Sequence, residues 1–191
     1  MESSQKTFTG YLILVVGNSG SGKDTIIKEV IRRNQHLKLI APKRYVTRTP
    51  SVDEENIFLT EEEFQQKLIQ HEFAIEWEIY GLKYAVPIEI NDWLKSGYFV
   101  IINVSRNVVD QTKKNYQNCR VIFIDVPFEI ILKRLIERGR EENAVLEERI
   151  ARAKQNQKFP QADFIVDNSG KLESSVNQFL SYLNSLKIKK N

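Results

Sequence analysis

Short apolar runs alternate with longer stretches of helical periodicity along most of the chain. Four of these runs are rich in β-branched residues and are bounded by turn residues, which is typical of buried strands. They are Tyr11–Val16, Tyr98–Val104, Val121–Val126 and Phe164–Val166. Strands that alternate with helices imply crossover connections and a mainly parallel sheet covered by helices on both faces. The pattern therefore predicts a doubly wound α/β fold.

Helix start and stop signals lie between the predicted strands. Thr60 and Glu63 have the spacing of a capping box, which predicts a helix that begins just after Thr60. Pro127 followed by a periodic run to Gly139 predicts a second helix, and Ile88–Ser96 ends in the same way at Gly97.

One stretch interrupts this alternation. Residues Arg44–Phe58 are polar and irregular, and Phe73–Val86 has the pattern of short strands around Gly81. An inserted substrate-binding lobe, covering about residues 44–87, would explain the interruption.

Length and composition indicate one ordinary globular domain over residues 1–191. Hydrophobic residues make up 41% of the chain and charged residues 28%. The apolar run Leu12–Val16 is far too short to cross a bilayer, which needs roughly 20 residues. The first ten residues are polar and lack a signal-peptide core, so we expect a cytoplasmic protein without membrane association.

Charge and cysteine content narrow the range of partners. Cys119 is the only cysteine, so an intrachain disulfide is impossible. The net charge is only +3, and the basic tail is short, so we expect no nucleic-acid partner. The sequence leaves monomer and homodimer open.

Residues 17–25 carry the strongest chemical signal, GNSGSGKDT, between the first strand and the helical run Ile26–Arg33. This is a complete GxxxxGK phosphate-binding loop in its proper context. Glycines let backbone N–H groups approach phosphate oxygens, and Lys23 is expected to neutralise the β- and γ-phosphates as the catalytic lysine. The alternative is a glycine-rich turn that happens to contain a lysine. The predicted nucleotide contacts are Gly17, Asn18, Ser19, Gly20, Ser21, Gly22, Lys23, Asp24 and Thr25.

The residue after the lysine departs from the usual motif. A serine or threonine normally stands there as a Mg²⁺ ligand, and this chain has Asp24. A carboxylate is a good hard ligand for Mg²⁺, and Thr25 follows at once, so these two residues are the candidate metal ligands. The alternative is an inactive nucleotide site.

Arginines are concentrated in the segment RLIERGREENAVLEERIARA, residues 134–153, which has the pattern of two helices joined near Gly139. Such a hairpin can act as a lid, about residues 138–152, whose arginines stabilise the transferred phosphoryl group. Arg138 and Arg149 are the catalytic candidates, and Arg134 is a candidate nucleotide contact. A surface helix with Glu/Arg pairs would look similar in sequence.

The order of these motifs resembles that of the guanylate-kinase-like P-loop group over nearly the whole chain. The shared landmarks are the phosphate loop, VTRTP (46–50), EEEF (61–64), FAIEWEIYGLKYAV (73–86), RLIERG (134–139) and ADFIVDN (162–168). The resemblance implies a P-loop NTPase fold and the use of ATP and Mg²⁺.

Within that group, the chain is most similar to the ribose 1,5-bisphosphate phosphokinase family. The residues that carry this likeness include GNSGSGKDT, RYVTR (44–48), EINDWLKSG (89–97), INVSR (102–106) and RGRE (138–141). It implies phosphorylation of ribose 1,5-bisphosphate to 5-phosphoribosyl 1-diphosphate within phosphonate metabolism.

The positions at which guanylate kinases read guanine hold other residues here: Arg44, Ile75 and Val86-Pro87. Each unmade buried hydrogen bond would cost about 1–3 kcal/mol, so guanine should bind poorly. The resemblance implies an acceptor site formed by Arg44, Tyr45, Thr47, Arg48, Trp77, Glu78, Tyr84, Asn103, Ser105 and Arg106. For the aromatic residues the alternative is core packing, and Glu78 could simply face solvent. A guanylate kinase and a non-catalytic binding module are the rival functions.

Overall fold

The computed structural model describes residues 5–48, 55–79, 81–138 and 143–188, excluding the side chains of residues 138, 143–145 and 188. Within these ranges strands and helices alternate. The strands are β1 (Tyr11–Val16), β2 (Leu39–Ile40), β3 (Tyr45–Val46), β4 (Ile57–Phe58), β5 (Phe73–Ile79), β6 (Leu82–Pro87), β7 (Phe99–Asn103), β8 (Cys119–Asp125) and β9 (Phe164–Asp167). The helices are α1 (Lys23–Arg33), α2 (Glu61–Ile69), α3 (Ile90–Lys95), a 3₁₀ helix (Arg106–Val108), α4 (Val109–Asn115), α5 (Phe128–Arg138), α6 (Asn143–Gln155) and α7 (Leu172–Ile188).

The chain divides into two compact units. Unit 1 comprises Met1–Leu14 and Lys38–Arg120, and unit 2 comprises Val15–Leu37 and Val121–Asn191. No helix in the described ranges is long and apolar enough to span a bilayer.

Unit 1 contains part of a parallel sheet, in the order β2-β7-β1. Strands β2 and β7 are parallel, with Leu39 opposite Phe99. Residues Phe99–Ile102 are all buried, and the ring of Phe99 stacks on that of Tyr11 at 5.2 Å between centroids. Burial on both faces explains why β1 and β7 are unbroken apolar runs, and both strands were predicted from the sequence.

The segment that interrupts the predicted alternation forms a second sheet in unit 1, in the order β4-β3-β6-β5. Strands β3 and β5 flank β6 in antiparallel pairing, so Tyr84 lies opposite both Val46 and Trp77. Helix α2 packs on one face of this lobe sheet through a cluster that contains Phe64 and Phe73. The inserted lobe therefore has its own small hydrophobic core.

Helix α2 begins at the predicted capping box. The Thr60 hydroxyl accepts a hydrogen bond from the Glu63 N–H at 3.1 Å, and the Glu63 carboxylate accepts one from the Thr60 N–H at 2.8 Å. These two bonds satisfy donors that the helix leaves unpaired at its start.

Unit 2 contains the end of β1 and the strands that follow it, in the order β1-β8-β9. Strands β8 and β9 are parallel, with Ile122 opposite Phe164. Helix α7 buries Val176, Phe179 and Leu183 completely. The phosphate loop, which starts at the carboxyl end of β1, and helices α1, α5 and α6 belong to the same unit.

The structure adds elements that the sequence pattern did not predict. Strand β2 has only two residues, and helices α4 and α7 carry no clear start signal. Helix α7 is rich in serine and asparagine, which have modest helix propensity, so its tertiary packing decides its conformation. Helix α1 begins at Lys23, three residues earlier than its apolar run, because the phosphate loop leads directly into it.

Candidate active site

The phosphate loop bends tightly between β1 and α1. Gly20 and Gly22 have φ angles of +81° and +83°, which side chains rarely allow. A Cβ atom at Gly17 would lie 2.9 Å from the carbonyl oxygen of Ile124, closer than real contacts permit. Gly22 caps helix α1 without a side chain, so no side-chain oxygen competes there for the amides of the first turn. The loop therefore has the backbone geometry of a phosphate-binding turn.

Lys23 is the first residue of α1, and its side chain reaches back over the loop. Its Nζ donates hydrogen bonds to the carbonyl oxygens of Gly17 and Asn18, at 2.9 Å each. The Ser21 hydroxyl lies 3.5 Å from the same nitrogen. The loop thus holds a positive charge where the motif predicts phosphate binding.

The two predicted metal ligands, Asp24 and Thr25, are exposed in the first turn of α1. Within the described residues, no group of three or more His, Cys, Asp or Glu side chains could hold a metal ion. Mg²⁺ in kinases commonly binds one or two protein ligands together with substrate phosphates and waters. These residues therefore fit an ion that arrives with a nucleotide, and they do not form a resident metal cage.

Helix α6 contacts the phosphate loop directly. The guanidinium of Arg149 donates a hydrogen bond to the Ser19 hydroxyl at 3.0 Å. The side-chain amide of Asn18 donates to the carbonyl oxygens of Ala153 and Asn156, at 3.3 and 3.0 Å. The structure thus places Arg149, a predicted catalytic residue, against the loop. Arg138 ends α5, but its side chain and residues 139–142 of the predicted lid lie outside the described part of the chain.

Arg134 supports the loop from helix α5. Its guanidinium donates to the carbonyl oxygen of Gly20 at 3.4 Å and to that of Asn168 at 3.2 Å. The side chain of Asn168 in turn donates to the carbonyl oxygen of Ser21 at 2.8 Å. In the sequence, Asn168 stands out only as part of the ADFIVDN landmark, and no local pattern gives it a role.

One face of the lobe sheet brings together several predicted acceptor residues. Side chains alternate between the faces of a strand, so Arg44 and Arg48, which flank β3, share a face with Tyr84 and Trp77. Trp77 and Tyr84 stack with ring centroids 5.4 Å apart and an interplanar angle of 7°. The guanidinium carbon of Arg44 lies 6.0 Å from the centre of the Tyr84 ring. Tyr84 therefore lies between an indole on β5 and a guanidinium beside β3.

Arg44 also binds residues outside the aromatic stack. Its guanidinium donates to the carbonyl oxygen of Asn103 at 2.8 Å, and its Nε donates to the Asn56 side-chain oxygen at 3.3 Å. Asn103 ends β7, and the predicted residues Ser105 and Arg106 follow it. Partial burial lowers the pKa of the Arg106 guanidinium below its usual value, although arginine stays protonated at neutral pH. Within unit 1, Arg44 thus contacts the end of β7, and Ser105 and Arg106 follow that end in the chain.

Three other predicted acceptor residues lie on the opposite face of the lobe sheet. Tyr45 packs against Phe73 in the cluster beneath α2, which is the core position that the alternative predicted. The Thr47 hydroxyl accepts a hydrogen bond from the Lys83 N–H at 3.0 Å, and Glu78 is exposed opposite Lys83. Substrate contacts by these three residues stay predictions, and they do not share a face with Arg44.

The chain is similar to known proteins in sequence and in fold. A family model described as guanylate kinase matches residues 9–186. The ribose 1,5-bisphosphate phosphokinase PhnN of Bradyrhizobium diazoefficiens is 36% identical over 163 residues, covering 84% of this chain and 81% of that protein. The protein of the same name from Enterobacter lignolyticus is 37% identical over 174 residues, covering 90% of each chain. The crystal structure of guanylate kinase from Anaplasma phagocytophilum shares the fold with a TM-score of 0.68 at 16% identity, covering 95% of this chain and 87% of that one.

Proposed function

This chain belongs to the guanylate kinase family, and from that premise we propose that it is a kinase acting on ribose 1,5-bisphosphate. It transfers the terminal phosphoryl group of ATP to the 1-phosphate of that sugar, giving 5-phosphoribosyl 1-diphosphate and ADP. The relatives called ribose 1,5-bisphosphate phosphokinase support this acceptor, because they match most of the chain at 36–37% identity. The use of ATP is consistent with a cytoplasmic location.

The arrangement of Arg44, Tyr84 and Trp77 is the main structural support for the proposed acceptor. A guanidinium fork pairs well with phosphate oxygens, and Arg44 is already oriented by Asn103. The rings of Tyr84 and Trp77 stack on each other, with Arg44 over Tyr84. Trp77 is also only 9% exposed, so its ring offers little stacking surface to a nucleobase. The face therefore favours an acceptor that has phosphates and no base.

The donor half of the reaction is assigned to unit 2. Lys23 and the backbone amides of the phosphate loop bind the β- and γ-phosphates, and Arg149 adds positive charge from α6. A Mg²⁺ ion bound with ATP would neutralise phosphate charge, with Asp24 and Thr25 as its candidate protein ligands.

The acceptor needs no activation by a general base. A phosphate group is already an anion at neutral pH, so it can attack without losing a proton to the protein. Catalysis then depends on positioning and on cationic stabilisation of the transferred group. The side chains of this chain are suited to that task, since the candidate residues include six arginines and Lys23.

Guanylate kinase activity is the second candidate. The matching family model and the similar solved structure both carry that name. The two functions share the donor site and differ in the acceptor, so only an acceptor comparison separates them.

The deciding experiment measures ADP release from Mg-ATP with ribose 1,5-bisphosphate, GMP, AMP or dTMP as acceptor. We expect turnover with the sugar bisphosphate and its loss in Lys23→Ala. Lys133→Ala is the matched control, because Lys133 lies exposed on α5 and pairs only weakly with Glu137 at 3.8 Å. Efficient turnover of GMP would replace the proposed acceptor, and turnover of no acceptor would remove the kinase assignment.

A further inference from the structure

We propose that Asn168 is a positioning residue that holds the phosphate loop in its phosphate-binding conformation. This inference rests on the proposed use of ATP by that loop. Asn168 follows β9, far from the loop in sequence, and the residue is 5% exposed. Its role would be to orient one peptide group of the loop.

Both ends of the Asn168 amide have partners. Its Nδ2 donates to the carbonyl oxygen of Ser21 at 2.8 Å, and its Oδ1 accepts from the Ser175 hydroxyl at 2.9 Å. The Ser175 hydroxyl also lies 2.8 Å from the carbonyl oxygen of Asp167. Ser21 and Ser175 are fully buried, so water does not compete for these bonds. The carbonyl oxygen of Ser21 can only accept, so it fixes which end of the Asn168 amide faces the loop, and the Ser175 hydroxyl holds the other end.

The bond to Ser21 controls the next N–H of the loop. The C=O and N–H of a trans peptide point in opposite directions. Holding the Ser21 oxygen toward Asn168 therefore turns the N–H of Gly22 away from Asn168. Phosphate-binding loops use such backbone N–H groups as donors to phosphate oxygens.

Gly22 and Asn168 also fit each other sterically. A Cβ atom at Gly22 would lie 2.7 Å from the Nδ2 of Asn168. The glycine that ends the motif thus leaves room for the amide that fixes the loop. Separately, Arg134 donates to the carbonyl oxygens of Gly20 and Asn168, so the backbone of Asn168 is tied to the loop as well.

The test compares Mg-ATP affinity and steady-state kinetics in Asn168→Asp and the wild-type chain. Aspartate keeps the shape and the acceptor for Ser175, but an ionised carboxylate cannot donate to Ser21. We expect Mg-ATP to bind about ten-fold more weakly, with a lower kcat and an unchanged KM for the acceptor. Affinity should recover relative to wild type as the pH is lowered, because a protonated carboxyl group can donate again.

Two further variants separate positioning from stability. Ser175→Ala removes the hydroxyl that contacts the Asn168 Oδ1 and the Asp167 carbonyl oxygen, and we expect it to weaken Mg-ATP binding about three-fold. Val176→Ala truncates the next buried residue of α7 without touching this network, so it should lower the melting temperature and leave Mg-ATP affinity unchanged.

Equal Mg-ATP affinity in wild type, Asn168→Asp and Ser175→Ala would overturn the inference. The inference would also be overturned if Val176→Ala lost as much Mg-ATP affinity as Asn168→Asp for the same drop in melting temperature. A wild-type chain that does not bind Mg-ATP would overturn both this inference and the proposed donor. Normal Mg-ATP binding without turnover of ribose 1,5-bisphosphate would overturn the proposed acceptor alone.

Discussion

The guanidinium of Arg44 illustrates how a single side chain can be positioned before its ligand binds. It has a backbone acceptor in Asn103, a side-chain acceptor in Asn56 and an aromatic neighbour in Tyr84. An arginine held in this way loses less rotational freedom when it binds a phosphate, because part of that freedom is already lost when the chain folds. Its planar shape suits both the ring and the phosphate.

We expect Arg44→Lys to raise the KM for ribose 1,5-bisphosphate about ten-fold or more, and to leave the KM for ATP unchanged. Lysine keeps the charge but loses the planar fork, and a charge-assisted hydrogen bond contributes about 1.5–3 kcal/mol. Steady-state kinetics with each substrate varied in turn measure this difference.

Arg120→Lys is the matched control for that experiment. Arg120 also lies over an aromatic ring in unit 1, with its guanidinium carbon 5.7 Å from the centre of the Tyr11 ring, but it is outside the lobe sheet. Its replacement should leave both KM values unchanged. If Arg44→Lys behaved in the same way as this control, Arg44 would not bind the acceptor.

The raised pKa of the Tyr116 phenol predicts how the stability of the fold depends on pH in the alkaline range. Burial raises the pKa of its phenol to about 12, from 10.0, so the folded chain keeps a proton that the unfolded chain releases. The free energy of unfolding should therefore fall as pH rises from 10 toward 12, by up to about 2–3 kcal/mol from this group. Tyr116→Phe should flatten this part of the profile, as measured by urea unfolding across the range. An unchanged slope would contradict the assignment.

At the scale of elements, the lobe sheet depends on its packing partner. Strands β3 and β4 have only two residues each, which is too few to be stable by themselves. Helix α2 covers the face that carries Phe73, and the opposite face carries Arg44 and Tyr84. The helix thus stabilises the sheet from one side, and the candidate acceptor residues Arg44 and Tyr84 lie on the other side.

Loss of the α2 cap should destabilise unit 1 by about 1 kcal/mol. Thr60→Ala removes the hydroxyl that accepts the Glu63 N–H, and loss of an N-cap typically has this cost. Urea unfolding measures the change. Thr60→Ser is the control, since serine keeps the hydroxyl and should stay within about 0.5 kcal/mol of wild type. Equal losses in both variants would mean that the threonine methyl group matters more than the cap.

For the whole molecule, the candidate residues separate by unit. Lys23, Arg134 and Arg149 belong to unit 2, whereas Arg44 and Arg106 belong to unit 1. Each ligand should therefore stabilise mainly the unit that binds it, because only binding to the folded state adds stability.

Hydrogen exchange can test this separation of donor and acceptor. Mg-ATP alone should slow exchange of amides in the phosphate loop and α1, and ribose 1,5-bisphosphate alone should slow it in β3 and β6. Local opening free energies respond to ligands that bind the same region. Both ligands are added at about 100-fold above their Kd, where linkage gives about 2.7 kcal/mol. Protection of β3 and β6 by Mg-ATP alone would contradict the assignment of the donor site to unit 2.

The sequence by itself determined the features that depend on neighbouring residues. Buried strands such as β1 can be recognised as apolar runs in the sequence. The phosphate loop and the α2 cap are defined by spacings of a few residues. Strand alternation also determines that Glu78 and its neighbour Trp77 point to opposite faces of β5.

Only the tertiary structure decided which residues face each other across long stretches of chain. Alternation puts the neighbours Tyr45 and Arg44 on opposite faces, but only tertiary packing decides that Tyr45 lies beneath α2 and Arg44 lies over Tyr84. Asn168 meets Ser21 across 147 positions, and no local pattern encodes that contact. Such pairings arise from packing of the whole fold, since burial and hydrogen-bond satisfaction are properties of the assembled chain and not of short segments.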